Sequence, residues 1–454
     1  MLGSAQLDQN SIASSRELLN RFVSFYSNAS YTYDDKYVLS GSIRWDRSNL
    51  WGTNSKYQNK PLWSVGGSWN IYKEKFFQAD FVDMLKLRAS YGIGGNIGRN
   101  TAPYLIASYY DSSLVDGMAG SVNTPPNKDI RWEKTTTVNV GVDFALFRHR
   151  LSGTIEYYNK YSVDLLAAIN GSPTQGFGYT TLMTNNGKMV NRGVEITLSG
   201  EIIRQKDFSW NASLLYAFNR NKVKHISVQP SLWDSRISMP TSYPMVGKPL
   251  YGIYAYKWAG LNENGDPQVY DAENNVTSGP ARDYHALVYC GTTVPIHNAS
   301  LTNVLRYKGF EFSAMLILDA GHKLRSSNIP SINMSNGRIT STAKGIVDRW
   351  TQPGDVTDVP RLLFSNDTEN FNTHRTELYR YSDLFVYDAS NIRLSNISLA
   401  YRVPAHWCKK ISLSGARLQF NVENVATFAF DSKANYDLGG KVKPNYVWGL
   451  YLNF

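Results

Sequence analysis

A glycine-rich stretch is the first candidate for chemistry in this sequence. The residues from Gly92 to Gly98, GIGGNIG, have the composition of a loop that cradles phosphate. Dinucleotide-binding loops follow the pattern G-x-G-x-x-G and continue into a helix. Here position 97 holds an isoleucine, and the residues RNTAPYL that follow do not have a helical pattern. We therefore interpret these glycines as the end of a strand.

Two other patterns that could hold a metal or a nucleophile are incomplete. The segment Asn262–Pro267, NENGDP, resembles a calcium-binding loop, but it lacks the spaced acids and the distal glutamate of an EF-hand. Its composition favours a turn. The seven histidines show no paired ligand spacing, and the sequence contains neither a G-x-S-x-G motif nor a cysteine–histidine arrangement. The sequence predicts a protein that is not an enzyme and has no catalytic residue, metal site or cofactor.

Charge and cysteine content restrict the partners. The chain has 47 Lys and Arg against 37 Asp and Glu, which gives a net charge of +10. The basic residues are scattered along the chain, so we expect a solvated surface and no nucleic-acid partner. Two cysteines, Cys290 and Cys408, are too few for a disulfide framework. The strand layout described next puts them at opposite ends of the molecule, which predicts free thiols.

Alternating side chains dominate the whole chain. In the last ten residues, NYVWGLYLNF, every second residue from Tyr446 to Phe454 is large and apolar or aromatic, so one face of a strand is apolar. We count about thirteen segments with this period of two. Several have about ten to fifteen residues, whereas strands of soluble proteins have about five or six and a tilted membrane-spanning strand needs about nine to eleven. The 30 tyrosines and 11 tryptophans suit aromatic girdles at the two edges of a membrane.

The two faces of these strands predict which side contacts lipid. We expect exposed apolar side chains on the convex side at Val140, Val142, Phe144, Ile196, Leu198, Phe312, Leu316, Leu450 and Leu452. We expect polar side chains on the concave side at Glu156, Glu195, Thr197, Gln419 and Glu423. The sequence thus predicts an all-β protein, a partial antiparallel transmembrane β-barrel. The alternative is a surface or secreted soluble β protein that binds carbohydrate, which would bury its apolar face against a second sheet.

Connections between the strands alternate in length. Short turns are predicted at Asp34–Lys36, Arg148–Arg150, Arg204–Asp207 and Tyr307–Gly309, and medium links at Lys73–Asp83 and Pro404–Ile411. Long loops are predicted over about 96–131, 164–186, 221–297, 323–384 and 425–443. Outer-membrane barrels have short periplasmic turns and long extracellular loops. We therefore divide the chain into residues 1–20, a loop or helical remnant before the first strand, and residues 21–454, the barrel portion with its outer loops.

The loop over 221–297 contains aromatic residues that could contact a substrate. Trp233, Tyr251 and Trp258 are the candidates, because aromatic rings stack on sugars and contact peptides. The same rings could equally pack the loop onto itself, since loops of this length are usually either functional or disordered.

Six segments, in order, resemble the C-terminal part of a SusC-like (SusC/RagA family) TonB-dependent outer-membrane transporter of Bacteroidetes. They are YVLSGSIRWDRSNLWG (37–52), LKLRASYGIGGN (85–96), WEKTTTVNVGVDFALFRHRLSGTIEYYNKYSVDLL (132–166), NNGKMVNRGVEITL (185–198), NIRLSNISLAYRVP (391–404) and NVENVATF (421–428). The resemblance covers the whole chain. It implies a 22-stranded barrel around an N-terminal plug, placed in the outer membrane and surrounded by its lipid. It also implies import of an oligosaccharide or a peptide, driven by TonB and covered on the outside by a SusD-like lipoprotein.

The chain departs from the family pattern at its start. MLGSAQLDQN lacks the charged start and apolar core of a signal peptide. From the resemblance we expect the plug and the TonB-contacting segment to lie outside these residues. About thirteen strands do not close a barrel of 22, and unpaired strand edges are costly in lipid. We therefore expect a C-terminal fragment that is inactive alone and that requires the N-terminal half of the barrel and its plug as a partner.

Overall fold

The computed structural model of the chain describes fifteen ranges of residues. They are 21–50, 52–58, 60–96, 98, 103–112, 114, 117–170, 174, 181–230, 235–279, 283–334, 342–364, 374–410, 412–439 and 443–454. Residues 1–20, for which we predicted a remnant before the first strand, and Trp233 lie outside them. None of the helices within these ranges is long and apolar enough to cross a membrane.

One large antiparallel sheet dominates the structure. Among the described residues it has 13 strands, and each strand pairs with the next one in chain order. The strands are β1 (Phe22–Tyr33), β2 (Tyr37–Ser48), β3 (Leu62–Asn70), β4 (Val82–Asn96), β5 (Glu133–Leu146), β6 (Leu151–Asn170), β7 (Thr181–Arg204), β8 (Phe208–His225), β9 (His297–Tyr307), β10 (Phe310–Ala320), β11 (Asn391–Arg402), β12 (Gly415–Ala429) and β13 (Asn445–Asn453). This meander confirms the predicted fold class of an all-β, partial barrel.

The register aligns the apolar side chains of successive strands. Residues directly opposite each other in an antiparallel pair lie on the same face of the sheet. One row of opposed residues across β4 to β10 is Leu87, Val142, Ile155, Ile196, Tyr216, Ala299 and Leu318. The next row, on the other face, is Arg88, Gly141, Glu156, Glu195, Ala217, Asn298 and Asp319. The sheet therefore has one continuous apolar face and one polar, charged face.

The apolar face is not covered by a second sheet. Of the nine residues predicted to face lipid, Val140, Phe312, Leu316, Leu450 and Leu452 are exposed, and the other four are half-buried. The further sheets of the described residues have only two or three strands each. The predicted polar residues share the opposite face, where Glu195, Thr197 and Glu423 are exposed and Glu156 and Gln419 are half-buried. A soluble sandwich is therefore not favoured, because its apolar face would be buried.

Several strands are longer than the sequence pattern predicted. We predicted a loop over 164–186, but β6 continues to Asn170 and β7 begins at Thr181, with Ala167 opposite Thr184. Similarly, β8 continues to His225 and β12 to Ala429, so the loops that follow them begin later than predicted. These strand ends lack a clear alternation, and they are held by backbone pairing with the neighbouring strand. The predicted loop over 96–131 contains a hairpin of its own, Ile106–Ser112 paired with Gly117–Thr124.

The two outermost strands each have a partner on one side only. β1 pairs with β2 and β13 pairs with β12, and within the described residues no pairing joins β1 to β13. Every residue of β1 is exposed. The sheet is therefore open in this structure, with one free edge at each end.

Candidate functional site

Two long loops leave the sheet at the same end and fold together. Residues 226–296 follow β8 and residues 321–390 follow β10, and both strands begin at short turns, so both loops lie at the other end of the sheet. We call these two segments the loop body. Tyr254, Tyr256 and Val269 of the first segment are buried against Leu378 of the second. The backbone N–H of Tyr256 also donates to the carbonyl of Tyr381, with an N···O distance of 2.9 Å.

A buried ionic contact also joins the two segments. Arg375, which is 1% exposed, donates from Nε to Asp266 Oδ1 at 3.1 Å. Arg361 donates to the same carboxylate from Nε at 3.1 Å and from Nη2 at 2.8 Å. Burial lowers the pKa of the Arg375 guanidinium, and the charge of Asp266 opposes that shift. A buried charge is tolerated only when it is paired and hydrogen-bonded, and this pairing fixes the position of one loop on the other.

The remaining donors of Arg375 are also satisfied. Nη1 donates to the carbonyl of Ile332 at 3.0 Å and to Asn333 Oδ1 at 2.7 Å, and Nη2 donates to the carbonyl of Arg361 at 2.7 Å. Sequence analysis did not identify this residue, because its partners are distant in sequence and no local pattern connects them.

The three predicted substrate residues have different surroundings. Trp258 is half-buried: its Nε1 donates to Asp358 Oδ1 at 3.0 Å, and its ring lies 5.9 Å from that of Tyr379, measured between centroids. These contacts correspond to the alternative in which the ring packs the loop onto itself. Tyr251 is 50% exposed, so its ring is accessible. Trp233 lies outside the described residues, and a contact of any of the three with substrate stays a prediction.

A network of charges crosses the polar face of the sheet. Arg88 of β4 donates from Nε to Asp143 of β5, at 3.1 Å from Oδ2, and from Nη2 to Glu156 of β6. Asn139 Nδ2 donates to Glu156 Oε2 at 3.1 Å, and Thr154 Oγ1 donates to Asp143 Oδ1 at 3.0 Å. Charges in the middle of long strands are stable only where water or partners reach them, so this face suits a water-filled lumen.

A shallow groove of about 300 Å³ continues the polar face over β7 to β10. Its side chains include Glu195, Thr197, Asn298 and Asp319. Asn298 Nδ2 donates to Asp319 Oδ1 at 2.6 Å. Alternation placed Glu195 and Thr197 on this face, whereas Asn298 was not identified from the sequence. Its position opposite Asp319 depends on the register of β9 against β10.

The described residues contain no arrangement that would support metal chemistry. No group of three or more His, Cys, Asp and Glu side chains within the described ranges could hold a metal ion. Cys290 lies in the short strand Leu287–Thr292 of the loop body, and Cys408 is buried in the helix Ala405–Lys409 between β11 and β12; both are free. Burial raises the pKa of the Cys290 thiol to about 11, and the nearby Asp383 carboxylate adds to the effect.

A meander of long strands with one apolar face, one charged face and long loops gathered at one end defines the wall of an outer-membrane β-barrel. Comparison with known families agrees with this class. The family model for the TonB dependent receptor-like beta-barrel matches residues 4–425. The chain belongs to this family of outer-membrane receptors and transporters, whose members are not enzymes.

Curated relatives and solved structures extend the comparison and confirm the SusC-like resemblance. TonB-dependent receptor P3 of Formosa agariphila is 27% identical over 456 residues, covering 94% of this chain and 43% of the relative. TonB-dependent receptor SusC of Bacteroides thetaiotaomicron is 25% identical over 427 residues, covering 89% of this chain and 40% of the relative. The structure of the RagAB peptide transporter has the same fold, with a TM-score of 0.77 at 24% identity, over 99% of this chain and 50% of that one. The chain spans about half the length of these proteins or less.

Proposed function

We propose that this chain forms part of the wall of an outer-membrane importer that takes up an oligosaccharide or a peptide. The observation that carries the proposal is the segregation of the sheet into a continuous apolar face and a charged face. The apolar face suits contact with lipid, and the charged face, with Arg88, Glu156 and Asp319, suits a wet passage. The class of cargo is what the resemblance to SusC-like transporters implies, and the peptide alternative is in keeping with one similar structure, which is that of a peptide transporter.

The importer would include further parts. The two free edges of the sheet, at β1 and β13, would pair with additional strands of the same barrel, which also encloses the plug. TonB would drive import through that N-terminal part, and a SusD-like lipoprotein would cover the loop body. We expect the lid to contact the loop body. The Arg375–Asp266 contact holds the two segments of the loop body together, so they present one defined surface.

The substrate would meet the loop body first and then the polar face. Tyr251 is the exposed aromatic residue that we expect to contact it, and Trp258 would support the loop that presents Tyr251. Trp233 stays a candidate from the sequence alone.

Uptake by the complete protein tests the proposal. Cells that depend on this transporter are supplied with single oligosaccharides or short peptides as the nutrient, and growth and substrate binding are measured. The Tyr251→Ala variant is expected to weaken binding by about tenfold, in the range for loss of one aromatic contact. Tyr307→Ala, which removes an equally exposed ring at the short-turn end of β9, is the matched control. If neither class of nutrient depends on the transporter, the proposal is wrong.

A further inference from the structure

A cluster of positive charges lies on the apolar face of the sheet, at the end where the long loops leave it. Arg192 of β7 is directly opposite Arg220 of β8. Lys222 lies two residues further along β8, on the same face, and is opposite Val190. Arg192, Arg220 and Lys222 are all exposed. Like charges directly opposite each other destabilise a sheet. A bound anion would reduce the repulsion between Arg192 and Arg220.

The rows below the cations have the order expected for a lipid contact. Tyr157, Val194 and Phe218 form the adjacent row, and Ile155, Ile196 and Tyr216 form the row after it. At about 3.3 Å per residue along a strand, Arg220 lies about 7 Å beyond Phe218 towards the long-loop end. A membrane barrel has an apolar band, then an aromatic girdle, then the headgroup region. The cations therefore lie at the height of lipid headgroups.

The loop body adds a wall and a further cation to this cluster. Gly247 N–H donates to the carbonyl of Val223, and Val223 N–H donates to the carbonyl of Lys248, both at 2.9 Å. This pairing continues the sheet beside the free end of β8. Lys248 Nζ lies 4.8 Å from the centre of the Tyr289 ring. Between this segment and the strands lies a cleft of about 680 Å³.

The lining of the cleft is cationic without a balancing acid. It includes Arg192, Arg220, Lys222, Lys224 and Lys248, and among the described residues no aspartate or glutamate lines it. Arg192 Nε donates to Asn159 Oδ1 at 3.1 Å, which is a neutral partner. Asn219 and Asn221 of the polar face also line the cleft, but Arg192, Arg220 and Lys222 lie on the apolar face. That face points away from the proposed lumen, so a substrate that passes along the polar face does not reach these three side chains.

We propose that this cleft binds the phosphate groups of an anionic lipid of the outer leaflet. The acyl chains lie along Ile155, Ile196 and Phe218, and the phosphates contact Arg192, Arg220 and Lys222. A lipid that carries two phosphates on a sugar headgroup fits best, because the cations are spread over two strands and the loop segment. The inference rests on the proposed placement of the long-loop end at the outer face, and it adds a ligand that import itself does not require.

Lipid retention by the complete protein tests this site. The wild-type protein and the variant Arg192→Gln/Arg220→Gln/Lys222→Gln are placed in lipid nanodiscs that contain bisphosphorylated lipid A or its dephosphorylated form. The protein is then extracted in mild detergent, and bound lipid is counted by native mass spectrometry. We expect the wild type to retain the phosphorylated form selectively, and the triple variant to retain at least about tenfold less, since each cation near a charged lipid surface contributes to binding.

The control variant also removes three positive charges, but from long-loop residues outside the cleft. Lys344→Gln/Arg349→Gln/Lys443→Gln changes three exposed cations outside the cleft and is expected to retain lipid like the wild type. Folding of each variant is checked by the change of gel mobility on heating. Equal retention by the two triple variants, or no selectivity of the wild type for phosphorylated lipid, would overturn the proposal.

Two further measurements, of inorganic phosphate binding and of substrate uptake, complete the test. If lipid-free protein binds inorganic phosphate tightly and shows no preference for the phosphorylated lipid, the site is a phosphate site and the lipid proposal is wrong. The cleft variant is expected to keep substrate uptake, because its three side chains face away from the lumen. Lipid retention is measured without transport, so a wild-type protein that retains lipid but imports nothing would contradict the proposed function alone.

Discussion

Arg375 Nε lies 3.1 Å from Asp266 Oδ1, and this contact joins two loops whose residues are 109 positions apart in the sequence. The guanidinium is almost fully buried. The Arg375 side chain therefore holds the two segments of the loop body in one arrangement.

Replacing Arg375 with methionine is expected to loosen the loop body while the barrel stays folded. Arg361 still pairs with Asp266 in this variant. The carbonyls of Ile332 and Arg361 lose their buried donor, however, and each buried polar group left without a partner costs about 1 to 3 kcal/mol. Hydrogen exchange read by mass spectrometry should show faster exchange in 252–270 and 374–388, with no change in β5 to β7. Arg349→Gln, an exposed arginine of the same loop, is the control. Unchanged exchange in Arg375→Met would show that the contact does not hold the loops together.

Trp258 and Tyr251 are expected to separate support of the loop from contact with substrate. Trp258→Ala removes a hydrogen bond to Asp358 and the packing against Tyr379. Because the ring is only half-buried, we expect the stability of the loop body to fall by about 2 kcal/mol. This is less than the loss expected for a fully buried tryptophan. Limited proteolysis should cut the loop body faster in Trp258→Ala and at the wild-type rate in Tyr251→Ala. The opposite result, a stable Trp258→Ala and a labile Tyr251→Ala, would reverse the roles assigned here.

Gly193 of β7 is expected to tolerate no side chain. A Cβ at this position would lie 2.4 Å from Tyr158 Cζ and 2.5 Å from the carbonyl oxygen of Phe218. Overpacking of this kind costs about 1 to 3 kcal/mol, so Gly193→Ala should lower the temperature at which the folded form is lost on a gel. Gly67→Ala is the matched control, because its nearest neighbour, the carbonyl oxygen of Val38, is 3.8 Å away. Equal transition temperatures for both variants would mean that β6 and β8 relax around the methyl group.

Cys290 is expected to react slowly with alkylating reagents. Burial and Asp383 raise the pKa of its thiol to about 11. Only the thiolate reacts, and at pH 8 the thiolate is about one part in a thousand of this thiol, against about one quarter for a free cysteine with a pKa of about 8.5. The rate with iodoacetamide should rise about tenfold for each pH unit from 8 to 10. Peptide mass spectrometry reads Cys290 and the buried Cys408 separately, and a rate that is independent of pH in this range would contradict the raised pKa.

Much of the sheet follows from local pattern. Alternation alone assigned Val140, Phe312 and Leu450 to one face and Glu156 and Glu195 to the other, and the structure agrees. The short turn at Asp34–Lys36 also follows from its neighbours, because the two strands end on either side of it. These features depend on residues close in sequence, and a strand has only two faces, so a period of two determines which side chain points where.

Other features depend on which strands and loops come together. The sequence by itself determined an all-β chain with an apolar and a polar face and with long loops at one end. The tertiary structure decided that the strands around the predicted loop 164–186 continue to Asn170 and begin at Thr181, because only pairing with a neighbour satisfies their backbone groups. It also decided that Trp258 supports the loop body, that Asp266 meets Arg375, and that Arg192 lies opposite Arg220. Contacts of this kind depend on the path of the chain between distant residues, and no local period contains that information.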